Sequence, residues 1–220
     1  MKIGEIELKW LGHSAFLISN EKRIYIDPYN IPQAEPKADI ILITHSHYDH
    51  CSIADIQKII RNGTIILVPA DCQSKITKLE NVEMQIAEIG DEIKVGNIVI
   101  DAVPAYNINK QFHQKQEGWL GYVVKMNNVI IYHAGDTDII PEMQKLTGHG
   151  KSENEFIALL PVGGNYTMNA EEAAEAASVI KPTIAIPMHY GSVAGTEKDA
   201  ETFVKLCKEA GVNAEILEKS

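Results

Sequence analysis

Short apolar runs of strand length recur along the whole chain, and segments carrying helix caps separate them. The runs lie at Glu5–Leu11, Ala15–Ser19, Arg23–Asp27, Asp39–Ile43, Thr64–Val68 and Glu83–Ala87. They continue at Glu92–Val95, Ile98–Val103, Leu120–Met126, Val129–His133, Phe156–Leu160, Thr183–Ile186 and Ala214–Leu217. Their length and Ile/Val content predict β-strands. Turn-forming residues sit between apolar runs at Gly96-Asn97 and Asn127-Asn128, as β-hairpins require. Four helices interleave. Ser52 is placed to cap Ile53–Arg61, and Asp71 to cap Cys72–Leu79. Asn169 with Glu172 opens Ala170–Ile180, which Pro182 closes, and Thr196 caps Glu197–Ala210, which Gly211 ends. This order predicts an α/β (α+β) chain of two packed sheets with helices on both outer faces. No linker or low-complexity tract interrupts it, so residues 1–220 are expected to form a single domain. The one long irregular stretch is Ala105–Gly118, rich in Asn, Gln and Lys, and loops of that length are more often functional than idle.

Directly after the apolar run Asp39–Ile43 stands Thr44-His45-Ser46-His47-Tyr48-Asp49-His50. Neutral imidazole suits zinc, iron and manganese, and a carboxylate adds a hard, charged ligand. One short loop bearing His45, His47, Asp49 and His50 can therefore serve two neighbouring cations. A solvated loop that is merely rich in histidine is the competing reading, and the position after a buried strand weighs against it.

The pattern H-x-H-x-D-H resembles the metal-binding signature of the metallo-β-lactamase superfamily. Gly135-Asp136-Thr137 after Val129–His133, and Pro187-Met188-His189-Tyr190 after Thr183–Ile186, match in the expected order. Trp10-Leu11-Gly12-His13-Ser14-Ala15-Phe16 and Pro161-Val162-Gly163-Gly164-Asn165-Tyr166-Thr167-Met168 resemble the branch that includes L-ascorbate-6-phosphate lactonase and a set of bacterial and archaeal metal-dependent hydrolases. The resemblance implies a four-layer αββα sandwich holding two divalent transition-metal ions, zinc or manganese, with iron as a further possibility. It implies that His45 and His47 bind the first ion and that Asp49 and His50 bind the second. Asp136 would bridge the two, and His189 would complete the second site. It implies a hydrolase that attacks a small-molecule ester, lactone or phosphoester with a metal-held hydroxide.

Other residues are read more openly. Asp27 resembles an acid that orients a liganding imidazole, and a strand-end turn aspartate is the plain alternative. Many relatives carry a further histidine after the strand matching Ile98–Val103, where this chain reads Val103-Pro104-Ala105-Tyr106-Asn107. His113 reaching in from its long loop, Asn107 as a weak oxygen ligand, or no third ligand are the three options, with His113 slightly favoured. His13 matches histidines that lie near the metal centre in the resembled branch and would serve as a substrate-side donor or proton carrier, and a turn histidine is an even alternative. Tyr166 would donate to an oxyanion, on a rim shared with Gly163, Gly164 and Thr167, although a glycine-rich turn before a capped helix explains these residues as well. His133 and His149 have no assigned partner, and Cys51 reads as a small buried thiol.

Composition narrows the partners. The formal charge is −10, and Arg23 and Arg61 are the only arginines. Acidity works against binding of nucleic acid, and scarce arginine means few bidentate clamps for phosphate. No apolar run approaches the roughly 18 residues of a membrane span, and Met1–Glu5 does not read as a secretory signal. Three cysteines at unrelated spacings give no disulfide framework, so a cytoplasmic setting is expected. A small molecule is the expected partner, with a homo-oligomer left open. The competing functions are a phosphodiesterase or nuclease of the same fold, and a non-catalytic metal-binding protein. Asp49 and Asp136 argue against the second, because each is costly to bury without a cation.

Overall fold

In the computed structural model, which describes residues 1–150 and 153–220, the strands fall into two sheets. Each sheet belongs to one of two compact units, Met1–Glu88 with Leu217–Ser220, and Ile89–Ile216.

The first unit holds β1 (Lys2–Ile3), β2 (Ile6–Gly12), β3 (Ala15–Ser19), β4 (Arg23–Ile26), β5 (Ile40–Leu42), β6 (Thr64–Val68) and β7 (Val82–Ile86), side by side in that order. β1 to β4 pair antiparallel, and β4 to β7 pair parallel. Register aligns Leu17, Tyr25, Ile41, Ile66 and Met84 into one apolar row across five strands. That row joins Ile56 and Ile59 of α1 (Ile53–Ile59) in a common core. Parallel strands buried on both faces account for the uninterrupted apolar runs of the sequence. Ser52 caps α1 by accepting from the Asp55 amide. The Asp55 carboxylate accepts from the amides of Asn30 and Ile31 and from Lys58, which ties the β4–β5 connection to α1. Burial alone would raise its pKa, but these hydrogen bonds from Lys58, Ser52, Asn30 and Ile31 hold it below the usual carboxylate range.

The second unit holds β8 (Glu92–Val95), β9 (Ile98–Pro104), β10 (Leu120–Met126), β11 (Val129–His133), β12 (Glu155–Pro161) and β13 (Ile184–Met188). Their spatial order is β13-β12-β11-β10-β9-β8. α3 (Ala170–Ile180) lies against α4 (Glu197–Glu209) and β12, and α4 lies against β13. Ala170, Ala173, Ala174, Ala176 and Ala177 are buried on α3, where small side chains let neighbouring elements approach closely. Asn169 and Glu172 form the expected capping box, and Thr196 with Asp199 forms a second one.

Strand direction decides where the loops meet. β2, β4 and β5 run the same way, so Gly12, Ile26 and Leu42 end at one edge of the first sheet. β9, β11, β12 and β13 run the same way, so the loops that follow them leave one edge of the second sheet. The Gly96-Asn97 and Asn127-Asn128 turns lie at the opposite edge.

Among the elements that differ from expectation, three are informative. Ala214–Leu217 forms only a single bridge from Ala214 to Ala185, because Ile216 is 41 % exposed and the run offers no continuous buried face. Cys72–Leu79 is a 3₁₀ turn over Ala70–Cys72 followed by α2 (Gln73–Ile76). Asp71 is exposed and lies inside the 3₁₀ turn, Cys72 takes the N-cap position of α2, and one helical turn persists because Cys72, Ile76 and Leu79 are buried. Pro141–Leu146 forms a 3₁₀ helix that carries no apolar periodicity long enough to announce it.

Candidate metal centre

In the first unit the loop after β5 and the ends of β2 and β4 gather Asp27, Thr44, His45, His47, Asp49, His50 and His13. Asp27 lies at the hub. Its carboxylate accepts from the Thr44 amide at 2.8 Å and the Thr44 hydroxyl at 2.6 Å, and lies 2.7 Å from His50 Nδ1. A carboxylate there calls for a proton on Nδ1, which makes Nε2 the ligating atom of His50. The orienting role is thus what the geometry of Asp27 supports. Thr44 Oγ1 also lies 2.9 Å from His45 Nδ1, which turns His45 Nε2 toward His47 Nδ1 at 3.2 Å. Two nitrogens bound at about 2.0–2.1 Å around a tetrahedral metal stand about 3.3 Å apart, so this pair has the spacing of two ligands in one shell. Asp49 Oδ2 lies 2.9 Å from His13 Nε2 and 3.7 Å from His50 Nε2. The three offer ligand atoms within 4.8 Å of one another. Lys75 of α2 donates to the Ser46 carbonyl and pins the loop from outside.

In the second unit Asp136 follows β11, His189 follows β13 and His113 lies in the loop after β9. Asp136 Oδ2 lies 3.1 Å from His189 Nε2 and 3.3 Å from His113 Nε2. His113 Nδ1 donates to the Tyr166 carbonyl at 2.9 Å, so its Nε2 lone pair faces the Asp136 carboxylate. Two electron-rich groups face each other there, an arrangement that a shared cation stabilises. Asn107 donates from Nδ2 to the carbonyls of Phe112 at 2.9 Å and Tyr166 at 2.6 Å. Its buried Oδ1 has no hydrogen-bond partner among the described residues. Gly163, at the end of β12, passes so close to His189 that a Cβ would overlap the His189 carbonyl and reach 3.0 Å from its Nδ1. Burial pushes the neighbouring Tyr190 hydroxyl up to about 12, so it keeps its proton at neutral pH.

His13, Asp27, His113 and His189 all adopt left-handed backbone, with φ of 53°, 45°, 58° and 61°. That region is unfavourable for residues with a Cβ, and such outliers gather at functional sites. The sequence left Thr44 and the clamping role of Asn107 unread. The threonine before the first histidine was the available signal for one, whereas the clamp of Asn107 depends on the Tyr166 carbonyl, 59 positions away in sequence. His133 accepts from the Gly135 amide and shapes the turn that carries Asp136, while His149 packs on the Phe156 ring. Cys51 is buried, as expected. The donor set of imidazoles and carboxylates, with the Nδ1 atoms of His45, His50 and His113 already engaged, fits divalent transition metals.

Residues 7–189 match the family model described as the beta-lactamase superfamily domain. The chain is 33 % identical over 225 residues to a UPF0173 metal-dependent hydrolase of Archaeoglobus fulgidus, covering 96 % of this chain and 95 % of that protein. Among solved structures it resembles a Parabacteroides distasonis protein described as a metal-dependent hydrolase, with a TM-score of 0.84 and 30 % identity over 98 % of this chain and 94 % of the other. Igni18, a metallo hydrolase of Ignicoccus hospitalis, superposes with a TM-score of 0.76 and 25 % identity over 98 % and 96 % of the two chains. By the family model and the Archaeoglobus fulgidus relative, the chain belongs to the metallo-β-lactamase superfamily, among the UPF0173 metal-dependent hydrolases.

Proposed function

We propose that this metal-dependent hydrolase uses two divalent transition-metal ions to cleave an ester or lactone bond in a small molecule. The observation that carries the reading is Asp136, whose single oxygen Oδ2 faces the Nε2 atoms of both His113 and His189. One carboxylate serving two imidazoles suits a ligand shared by neighbouring cations. The resemblance assigns His45 and His47 to one ion and Asp49 and His50 to the other, and within the second unit His113 and His189 are the imidazoles assigned beside Asp136. When bound, the cations lower the pKa of water and polarise the oxygen of the bond under attack.

The chain's own residues do the rest. Asp27, Thr44 and the Tyr166 carbonyl hold His50, His45 and His113 in their tautomers. His13 shares Nε2 with Asp49 and is placed to hold or move a proton at that carboxylate. The Tyr166 hydroxyl is the donor assigned to developing negative charge on substrate oxygen. A phosphoester fits less well, because Lys110 and Lys115 are already paired with Asp138 and Glu142. The lactonase-like character rests on the resemblance at residues 10–16 and 161–168. The cytoplasmic assignment rests on the absence of a disulfide framework among three free cysteines.

The test is metal content per chain in protein purified without chelator, for wild type and for the His113→Ala and Asn107→Ala variants. About two ions are expected in wild type, with one lost in His113→Ala and none lost in Asn107→Ala. One ion or fewer after reloading with zinc or manganese would sink the two-ion reading. A metal-loaded protein inert toward every ester and lactone tried would sink the substrate assignment.

A further inference from the structure

Phe112 and Tyr166 are 49 % and 36 % exposed, yet they border His113, which is 2 % exposed. Their rings meet edge to face with centroids 5.1 Å apart. The backbone beneath them is fixed. Asn107 Nδ2 bonds both of their carbonyls, His113 Nδ1 bonds the Tyr166 carbonyl, and the Asn107 amide donates to the His113 carbonyl at 2.6 Å. The pair is therefore a preorganised apolar surface tied to a candidate metal ligand rather than the tip of a loose loop.

Charge around the pair points the same way. Lys110 is paired with Asp138 and lies 3.9 Å from Glu172, while Lys115 is paired with Glu142 and lies over the Tyr106 ring. The loop's cations are thus already neutralised, and neither arginine lies in this unit. An anionic group would find no charge partner on this loop, whereas an apolar one would cover exposed ring surface.

We infer that Phe112 and Tyr166 form a wall that receives the uncharged acyl or aryl part of the substrate, which makes the enzyme selective for apolar esters over phosphorylated ones. The inference rests on the hydrolase reading above, and its test separates the two. With metal-loaded enzyme and 4-nitrophenyl esters from acetate to octanoate, kcat/KM is expected to rise by up to about fourfold for each added methylene. Phe112→Ala should reduce the octanoate-to-acetate ratio at least about tenfold. Tyr166→Phe, which keeps the ring, should preserve that ratio even where it slows turnover. Ile89→Ala, an exposed apolar residue outside the site, should change neither. A second readout needs no turnover. Trp119 lies 5.2 Å from His113, so tryptophan fluorescence can follow binding of an uncharged alkyl phenyl ketone. Phe112→Ala should weaken that binding about tenfold, and phenyl phosphate should not compete. A chain-length dependence unchanged in Phe112→Ala, or phenyl phosphate binding more tightly than the ketone, overturns the wall. If no ester is hydrolysed while the ketone still binds through Phe112, the ester-cleaving reading fails and the wall stands.

Discussion

At the scale of single residues, Asp27 carries an unusual share of the first unit's order, because one carboxylate serves the Thr44 amide, the Thr44 hydroxyl and His50. Asp27→Asn keeps the shape but removes the charge that favours a proton on His50 Nδ1. Metal affinity is expected to fall about 10–100-fold, read by competition with a chromophoric chelator, while the far-ultraviolet circular dichroism stays native. Gly163 imposes a different constraint, one of space. In Gly163→Ala the new methyl group must displace the His189 backbone. That variant should lose bound metal and most activity yet remain folded, and full metal content would show that the strand end yields instead. The left-handed backbone of His13, Asp27, His113 and His189 adds about 1–3 kcal/mol of strain at each position, which the surrounding contacts must offset.

At the scale of elements, caps were the most readable signal because they are local. Asn169 with Glu172 and Ser52 with Asp55 form as expected, since each needs only residues three apart. Asn169→Ala should cost about 1 kcal/mol in urea unfolding, with activity in dilute buffer unchanged. Asp55 makes a pH-dependent contribution. Its folded pKa lies below the unfolded value of about 4, so its stabilisation is present above that pH and is lost as the pH falls through the folded pKa. Asp55→Asn should be less stable than wild type at neutral pH, and the gap should close toward pH 3 in a series of denaturation midpoints. What the sequence could not convey is which apolar runs are taken into a sheet. Both sheets are laid down in chain order, yet Ala214–Leu217 makes only the bridge to Ala185 and stays outside any strand. The same limit applies to the site. His45, His47, Asp49 and His50 announce themselves by spacing. His113 does not, since its orientation comes from the Tyr166 carbonyl, which lies 53 positions further along the chain.

At the scale of the whole chain, bound metal contributes to stability by mass action, because the ligands come together only when the chain is folded. Free metal at a hundredfold excess over its Kd adds about 2.7 kcal/mol. Chelator should therefore lower the thermal midpoint, and adding zinc or manganese back should restore it. A midpoint indifferent to chelator would mean that no structural metal is held. The formal charge of −10 should also leave the protein unretained by DNA at moderate salt in a gel-shift assay. Among the described residues no helix is long and apolar enough to cross a membrane. In the second sheet the candidate ligands His113, Asp136 and His189 lie in segments that follow the C-terminal ends of strands, while the Asn127-Asn128 turn closes β10 and β11 at the other edge. The fold thus provides a handle remote from the chemistry. A tag or surface linker spliced into that turn would tether the protein to a bead or sensor by the sheet edge opposite the candidate ligands.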